Sequence, residues 1–222
     1  MIDCPVVAGL QETTRLMRLA LLLTIVTLIV AGAVGAWWWN RGPDASQFAN
    51  LREARLTRMT DQRMLVVEAT GDPNVVAGAA FKLLFKTYFT LQGVSRAGPP
   101  PAPRARWTFS VETPRNEWRG RYALPVPEAV SDLPEKSAGP MPVVITTWAY
   151  GDVAEILHVG SYSTEQPDIE RLRAFIDSRG YRVIGDHEEE YVKGPGMIFA
   201  GDPNKYLTII RLRVDKGSGT TP

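Results

Sequence analysis

The sequence of 222 residues has few of the side chains that most metal and redox sites use. It contains one cysteine, Cys4, and two histidines, His158 and His187. A single cysteine excludes an intramolecular disulfide framework and a cluster of metal-bound thiolates, and two histidines disfavour a histidine-rich metal site. We therefore expect neither a metal nor a cofactor.

The sequence also lacks an excess of charge of one sign. Lys and Arg together number 25 and Asp and Glu number 24, so the formal net charge is +1. A protein that binds nucleic acid through its overall field needs a clear basic excess or a basic stripe. The composition therefore predicts no nucleic-acid partner.

One long run without charged residues stands near the N-terminus. It extends from Leu19 to Trp39 and is roughly 31 Å long as a helix, which is enough to cross the core of a bilayer. Arg15 and Arg18 precede the run, Arg41 follows it, and its last three residues are tryptophans, which are typical of a membrane interface. We predict a short segment at 1–18 and then one retained transmembrane helix.

A cleaved signal peptide is the alternative, because Val34-Gly35-Ala36 resembles a small-residue cleavage site. The full spanning length and the tryptophans directly after that site favour the retained anchor. The arginines before the run favour a cytoplasmic N-terminus, while several arginines after it oppose this orientation. Because folded domains translocate largely regardless of charge, we expect a single-pass protein of the cell membrane whose C-terminal domain is extracytoplasmic.

The rest of the chain has the pattern of one module repeated twice. A polar linker at 40–50 precedes a domain at 51–215, and the polar tail 216–222 is expected to be disordered. A proline-rich stretch divides the domain into halves, 51–126 and 142–215. Each half contains two short strand-like runs, an amphipathic helix and two further strands. We expect an α+β domain in which antiparallel sheet carries two helices, with a cleft between the halves.

Local signals place the helices and one hairpin. An N-cap aspartate followed by proline predicts a helix over 72–93, and a capping-box pattern predicts a second helix over 163–180. The turn signal Gly151-Asp152 stands between two strand-like runs, 143–150 and 153–159. It predicts a hairpin of these two strands.

An acidic run that ends in a tyrosine is the most informative candidate for a site. Strand alternation divides this run between two faces. One face carries His187, Glu189 and Tyr191. The other face carries Glu188, Glu190 and Val192. A carboxylate beside a tyrosine can hold a cationic or hydrogen-bonding ligand, and aromatic rings can add cation–π and stacking contacts. The predicted ligand-binding residues are Glu189, Tyr191, Trp118, Tyr122, Trp148 and Tyr150. The alternative is a solvated acidic edge beside aromatic rings that belong to the core.

Five short motifs follow one another along the domain: Arg121-Tyr122-Ala-Leu-Pro-Val126, His158-Val-Gly160-Ser-Tyr162, Leu172-Arg-Ala-Phe175-Ile176, Gly180-Tyr181 and Glu189-Glu190-Tyr191-Val192. Their order and spacing resemble the GyrI-like family of small-molecule, or effector-binding, domains, which belongs to the SOUL/GyrI superfamily. The resemblance covers roughly residues 54–214. The stretch Lys193-Gly-Pro195 departs from the family, which continues there into an Asn/Asp-Asp-Pro turn.

The resemblance implies a role for Glu189. In the family, the carboxylate at this position lies in a cleft between the two halves and contacts cationic or aromatic ligands, with the tyrosine of the motif beside it. Some GyrI-like proteins are hydrolases that act on strained, electrophilic natural products. The superfamily also contains haem-associated proteins, but His158 in its apolar run is more typical of a packed strand histidine than of a haem or metal ligand. We expect haem binding to be absent or weak.

Three functions follow as hypotheses. The first, which we favour, is a membrane-anchored domain that binds a small cationic or amphipathic aromatic molecule and acts as a sensor, scavenger or adaptor. The second is a hydrolase of strained electrophilic molecules, in which Glu189 activates water and Tyr191 donates a proton, although no independent nucleophile–base pair is visible. The third is a protein-interaction adaptor without a ligand. The sequence identifies no protein partner.

Overall fold

The computed structural model of the chain describes residues 17–18, 21–32, 42–108, 113–131, 133, 141–195 and 201–216. The chain divides into two compact units, Met1–Asp44 and Ala45–Pro222.

Most of the described residues of the first unit belong to the predicted membrane segment or directly precede it, and 42–44 belong to the predicted linker. Residues 17–18 and 21–32 are helical, and their side chains are exposed. The remainder of the predicted span, 19–20 and 33–39, lies outside the described residues. Within the part of the chain that the structure describes, no helix has both the length and the apolar character that crossing a bilayer requires.

The described part of the second unit contains eight strands and two α-helices. The strands are β1 (Arg55–Met59), β2 (Gln62–Thr70), β3 (Arg104–Thr108), β4 (Arg119–Pro125), β5 (Val143–Trp148), β6 (Gly151–Val159), β7 (Tyr181–Lys193) and β8 (Leu207–Lys216). The helices are α1 (Pro73–Tyr88) and α2 (Gln166–Ser178), and short 3-10 turns occupy Ala45–Leu51, Arg115–Glu117, Tyr162–Thr164 and Pro203–Lys205. The mixed α+β class and the antiparallel sheet are as the sequence predicts.

Helix α1 begins where its N-terminal signal predicts. The Asp72 carboxylate accepts a hydrogen bond from the backbone N–H of Asn74 at 2.9 Å, and Pro73 occupies the first helical position. The helix ends at Tyr88, earlier than the predicted end at Gly93, and turns follow it.

The predicted capping box of α2 is wrong. Residues 162–164 form a 3-10 turn, and Glu165 occupies the N-cap position without bonding the helix through its side chain. The Glu165 side chain turns instead into the interior, where the residue is only 6% exposed. A hydrogen bond of the Thr164 hydroxyl to the carbonyl of Ser161, at 2.7 Å, stabilises the preceding turn.

The strands form one antiparallel sheet in the order β1-β6-β8-β7-β3-β4-β2-β5. Two residues, Thr60 and Asp61, join edge strand β1 to β2, and two others, Ala149 and Tyr150, join edge strand β5 to β6. Each edge strand is thus connected by this short link to the strand that lies next to the opposite edge of the sheet. Because two residues span less than about 11 Å, the sheet must curl back on itself.

The predicted hairpin of β5 and β6 is wrong. Strand β5 pairs with β2, with Trp148 opposite Gln62, and β6 pairs with β1 and β8, with Gly151 opposite Met59. Gly151 has a positive φ of 76° and bends the chain, but the bend leads β6 to different neighbours. Each half of the domain therefore pairs its first strand with the other half. The predicted repeat holds for the order of elements but not for the pairing of their strands.

Both helices lie on one side of the sheet, which we call the helical side. Helix α1 packs Ala80, Leu84 and Tyr88 into a cluster that includes Tyr122. Helix α2 packs Leu172 and Ile176 into a second cluster. Residues that are directly opposed across a sheet point to the same face. One such row of opposed residues contributes side chains to both clusters. This row consists of Val143, Val67, Tyr122, Ala105, Glu189, Ile210 and Ile156.

The adjacent row, on the opposite side of the sheet, is charged throughout. Its directly opposed residues cross seven strands from β2 to β1, and we call this row the charge ladder. It consists of Glu68, Arg121, Arg106, Glu188, Arg211, Glu155 and Arg55. Strand β3 of the first half and strand β7 of the second half meet at its centre.

The centre of the charge ladder is a buried ion-pair network. Glu188, which is 3% exposed, accepts hydrogen bonds from Arg106 Nε and from Arg211 Nη1, each at 2.7 Å, and from the Tyr150 hydroxyl at 3.0 Å. Burial opposes the ionisation of Glu188, but the guanidinium groups of Arg211, Arg106 and Arg104 hold its pKa below the usual range. The carboxylate is therefore the common counter-ion of strands from both halves.

Removal of this carboxylate should be strongly destabilising. The substitution Glu188→Ala leaves three buried guanidinium groups without their shared counter-ion, and breaking a buried pair in this way costs about 3–5 kcal/mol of unfolding free energy. Urea denaturation of the wild-type and variant proteins measures the loss. Asp215→Ala is the matched control, because its partner Arg182 is 64% exposed and the exposed pair should contribute no more than about 1 kcal/mol. Equal losses of unfolding free energy in the two variants would contradict the conclusion that Glu188 stabilises the fold more than an exposed ion pair does.

Candidate functional site

Glu189 is the one charged residue in the row of the sheet that faces the helices. Its direct neighbours in that row are Ala105 on β3 and Ile210 on β8, both fully buried. The row lies beneath both α1 and α2, so the carboxylate sits where the two halves of the domain meet. A carboxylate in apolar surroundings needs compensating contacts, because burial strongly disfavours its charge.

Two neighbours on the same strand supply those contacts. His187 Nε2 lies 2.9 Å from Glu189 Oε1, and the Tyr191 hydroxyl donates to Glu189 Oε2 at 2.6 Å. The side chains of His187 and Glu189 are 10% and 13% exposed. The structure thus places His187, Glu189 and Tyr191 on one face of β7, as strand alternation predicts.

A second carboxyl group, that of Glu165, faces Glu189 from the start of α2. Burial, followed by the negative charge of Glu189, raises the pKa of Glu165 to about 9. Burial also opposes the charge of Glu189, but hydrogen bonds from His187, Tyr191 and Glu165 hold its pKa below the usual range. At neutral pH the pair therefore carries one proton, on Glu165, which donates it to the Glu189 carboxylate.

Aromatic rings from both halves surround this carboxyl pair. The Tyr191 ring makes edge contacts with Phe81 of α1, at 5.5 Å between ring centroids, and with Tyr162, at 5.4 Å. Phe81 in turn contacts Tyr122 at 5.1 Å, and Trp107 contacts Tyr122 at 5.3 Å. Tyr162 is the outermost of these rings and is 39% exposed. We call these rings, together with Glu165 and Glu189, the Glu189 cluster.

Two buried polar atoms of the cluster have no hydrogen-bond partner among the described residues. They are the Tyr122 hydroxyl and Oε1 of Glu165. Burial and then the charge of Glu189 raise the pKa of Tyr122, so this phenol stays protonated and remains a donor. Buried polar atoms normally find a partner, and those that lack one often mark a position for water or for a polar group of a ligand.

His158 fixes the segment that brings Tyr162 and Glu165 to the cluster. Its Nδ1 lies 2.9 Å from Asp168 Oδ2, and its Nε2 lies 3.1 Å from the carbonyl oxygen of Ser161. Both ring nitrogens are thereby engaged within the fold, which leaves neither available to haem iron. Gly160 packs against the ring, since a Cβ at this position would lie 3.2 Å from His158 Nε2. The His-x-Gly-x-Tyr pattern is thus explained by packing.

Three of the predicted site residues belong to the Glu189 cluster: Glu189, Tyr191 and Tyr122. A fourth, Trp118, lies at its margin against Trp107, with 6.2 Å between ring centroids. The ligand-binding role of all these residues remains a prediction. Among the described residues, no group of three or more His, Cys, Asp or Glu is arranged to hold a metal ion.

The other two predicted residues, Trp148 and Tyr150, lie on the opposite side of the sheet. The Tyr150 hydroxyl bonds Glu188, and the guanidinium of Arg106 lies 4.1 Å from the centre of the Trp148 ring. The structure thus does not bring these two rings together with Glu189, because β5 pairs with β2 and β6 pairs with β1 and β8.

Sequence reasoning missed four residues of the cluster: Phe81, Trp107, Tyr162 and Glu165. Tyr162 ends one of the family-like motifs, and this was an available signal. Phe81 stands beside the apolar stripe of α1, and Glu165 stands where a capping box is expected, so neither is distinguished by its local pattern.

The fold is shared with several solved structures. An uncharacterized conserved protein from Listeria innocua is 19% identical, with a TM-score of 0.58 over 78% of this chain and 99% of that one. A hydrolase from Listeria innocua is also 19% identical, with a TM-score of 0.57 and the same coverage. The C-terminal domain of EcmrR is 13% identical, with a TM-score of 0.57 over 74% of this chain and 98% of that domain.

These neighbours have GyrI-like effector-binding folds, in agreement with the fold that the motif order implies. At identities of 13–19% the likeness shows a shared fold alone. No family model and no curated protein matches the chain.

The protonated Glu165 predicts a specific dependence of stability on pH. Its pKa is about 9 in the folded protein and 4.5 in the unfolded chain. Between these values the unfolded chain loses the proton while the folded protein keeps it, so the contribution to stability is present below pH 4.5 and is lost as pH rises towards 9. In Glu165→Gln, which imitates the protonated form, this loss should be absent.

Urea denaturation at pH 5.5 and pH 8 tests this expectation. The stability of Glu165→Gln relative to wild type should increase by roughly 1–3 kcal/mol between the two values, since each unit of pKa shift is worth about 1.4 kcal/mol. Glu170→Gln, on the exposed face of α2, should show no such trend. A stability difference between Glu165→Gln and wild type that does not change with pH would show that Glu165 is ionised in the folded state.

Proposed function

We propose that this domain binds a small cationic or amphipathic aromatic molecule at the Glu189 cluster. The observation that carries the proposal is the placement of a single negative charge within an otherwise apolar row, between two helices and among aromatic rings. Such a site provides one negative charge and several aromatic ring faces, which can replace the water around a dissolved cation. A monovalent organic cation has the matching chemistry.

Electrostatics favour a cation at this position. The two carboxyl groups share one proton, so the cluster presents one net negative charge from its carboxyl groups. Attraction between unit charges at 4 Å is about 1 kcal/mol in bulk water and about 4 kcal/mol at an effective dielectric constant of 20. Ring faces add cation–π attraction, which rises to about 2 kcal/mol where the cation is desolvated. The unpartnered Tyr122 hydroxyl adds a donor or acceptor for a polar substituent.

The comparison with solved structures supports the binding of a small molecule, because the neighbours have effector-binding folds. On this proposal the domain acts as a sensor, a scavenger or an adaptor whose state depends on its ligand.

We also propose that residues 19–39 tether the domain to the cell membrane as a single-pass anchor, with the C-terminal domain outside the cytoplasm. The uncharged run and its three tryptophans support the anchor. The helical residues 21–32 support it further, because apolar side chains such as Leu23, Leu28 and Ile29 are 64–67% exposed. In water this exposure is costly, whereas in lipid it is favourable.

Membrane extraction and N-terminal sequencing test the tether. The full-length protein should stay in the membrane pellet after alkaline carbonate washing, and a variant without Met1–Asp44 should be released. A mature N-terminus at Trp37 would establish a cleaved signal peptide instead. A reporter fused after Pro222 that is active only in the cytoplasm would reverse the proposed orientation.

A hydrolase is the second candidate, and the carboxyl pair is the observation that favours it. Two titratable groups whose pKa values are pushed apart are suited to act as base and acid. Glu189 would activate a water molecule, and the proton of Glu165 would pass to the oxygen that leaves a strained ring. The hydroxyl of Tyr191 is a weaker donor, because burial and then Glu189 raise its pKa well above the usual value. One of the solved structures with this fold is described as a hydrolase.

Removal of the charge on Glu189 should weaken the binding of cations. Glu189→Gln keeps the shape of the side chain, and the affinity for the cationic dye rhodamine 6G should fall by about 1–3 kcal/mol, the range for hydrogen bonds to charged groups. Fluorescence anisotropy of the dye measures the loss. Glu170→Gln removes the same charge from an exposed position of α2 and should change the affinity little. Glu188 and Glu190 are unsuitable controls, because both are part of the buried network with Arg211.

Two outcomes would contradict the binding proposal. Equal losses in Glu189→Gln and Glu170→Gln would indicate diffuse attraction by surface charge. Consumption of styrene oxide by the wild-type protein, lost in both Glu189→Gln and Glu165→Gln, would establish the hydrolase in place of a binding module.

A further inference from the structure

A second candidate site lies on the opposite side of the sheet from the Glu189 cluster. It is a cavity of about 420 Å³ between edge strand β5 and the strands that curl back towards it. Three arginines and two acidic residues contribute its charged lining: Arg106, Arg121, Arg213, Glu68 and Asp186. We call this the arginine cavity. Trp148, which the sequence assigned to the ligand site, also lines it.

A β-bulge shapes one wall of the arginine cavity. Strand β7 is in register with β8 at Val183, opposite Val214, and again at His187, opposite Leu212. Three residues of β7, at 184–186, thus lie between these paired positions, whereas β8 has only one. Gly185 and Asp186 belong to this bulge. Bulges of this kind re-aim side chains and are frequent beside functional sites. Here the bulge lies opposite Arg213, the residue between the two paired positions of β8.

The positive charges of the cavity are not all compensated by the protein. Arg106 is paired with Glu188, at 2.7 Å between Nε and Oε2, and Arg121 is paired with Asp186. Arg213 donates from Nε to the carbonyl oxygen of Tyr150 at 3.1 Å. Among the described residues, no carboxylate lies within ion-pair distance of the Arg213 guanidinium. Its Nη groups are therefore donors without an acidic partner at the wall of a cavity.

We propose that the arginine cavity binds a small aromatic oxyanion, a carboxylate or a phosphate monoester, through the guanidinium of Arg213. Guanidinium groups bind both kinds of oxyanion through paired, charge-assisted hydrogen bonds. The hydroxyl of Thr146 is a further donor at the wall, and Trp148 with the methyl groups of Val66 and Val144 provides apolar surface for the body of the ligand. The volume admits a substituted single ring.

This site is independent of the Glu189 cluster. Side chains alternate across β7, so Asp186 and Glu188 face the arginine cavity side of the sheet while Glu189 faces the helices. The two sites also select opposite charges. The protein would thus respond to a cation on one side of the sheet and to an anion on the other.

Fluorine NMR of the full-length protein in a mild non-ionic detergent tests the proposal. The probes are 4-fluorobenzoate and 4-fluorophenyl phosphate, with 4-fluorobenzyl alcohol as the neutral control. We expect at least one anion to show saturable line broadening at millimolar or lower concentration, and the neutral control to show none. The tighter of the two anions identifies the ligand as a carboxylate or a phosphate.

Three variants locate the binding. Arg213→Gln should weaken the binding of the anion by about tenfold or more, the change that the loss of a charge-assisted contact produces. Thr146→Trp fills the cavity from an exposed position of the edge strand, keeps all the arginines and should abolish binding. Arg182→Gln removes one positive charge from an exposed position of β7 and should change the affinity less than twofold.

Several results would overturn the proposal. These are the absence of saturable binding of either anion to the wild-type protein, equal losses in Arg213→Gln and Arg182→Gln, and full binding in Thr146→Trp. The variant Thr146→Trp decides the question even if Arg213→Gln fails to fold. Glu189→Gln should bind the anions as the wild type does, so failure at one site is distinguishable from failure at the other.

Discussion

The buried contact of Glu188 with Arg106 and Arg211 is the interaction on which the rest of the domain depends. It lies where β3 of the first half meets β7 of the second, and one carboxylate serves cations from both. A network of this kind adds little net stability over a well-packed apolar one, but it is intolerant of misalignment, because any unpaired charge is costly in the interior. It therefore specifies the register of the central strands. A shift of one residue between β3 and β7 would place Glu188 among the apolar residues beneath the helices.

The same register produces the Glu189 cluster. Because side chains alternate, a strand that holds Glu188 in the charge ladder must present Glu189 to the helices, where its neighbours in the row are apolar. The rings and the second carboxyl group then arrive from separate parts of the chain: Phe81 on α1, Tyr162 and Glu165 before α2. The cluster is thus complete only when both halves are in place. On the proposed function, a bound cation would compensate this charge, which is costly to the fold.

The parts of this structure that the sequence predicts are those that depend on local pattern. Alternation along β7 is a property of consecutive residues, and it separates Glu189 and Tyr191 from Glu188 correctly. The start of α1 follows from Asp72 and Pro73 for the same reason. The positions of Trp148 and Tyr150 depend on which distant strands β5 and β6 join, and a local turn signal at Gly151 carries no information about that. Glu165 was missed because a residue at a helix start is ordinarily read for its bonds to the helix, whereas here its side chain turns to the sheet.

The exchange of first strands between the halves has a consequence for how such a domain arises. Strand β1 lies beside β6, and β5 lies beside β2, so each half completes the sheet of the other. A chain of half this length, folding by the same rules, would have to lend its first strand to a second copy and accept one in return, as an intertwined homodimer does. If two such copies are fused, strand pairing that required the association of two molecules requires only the closure of a loop within one chain. During synthesis, β2 can pair with β4 on one side, but its other side must wait until β5 leaves the ribosome. Long-range pairing of this kind is intrinsically slow.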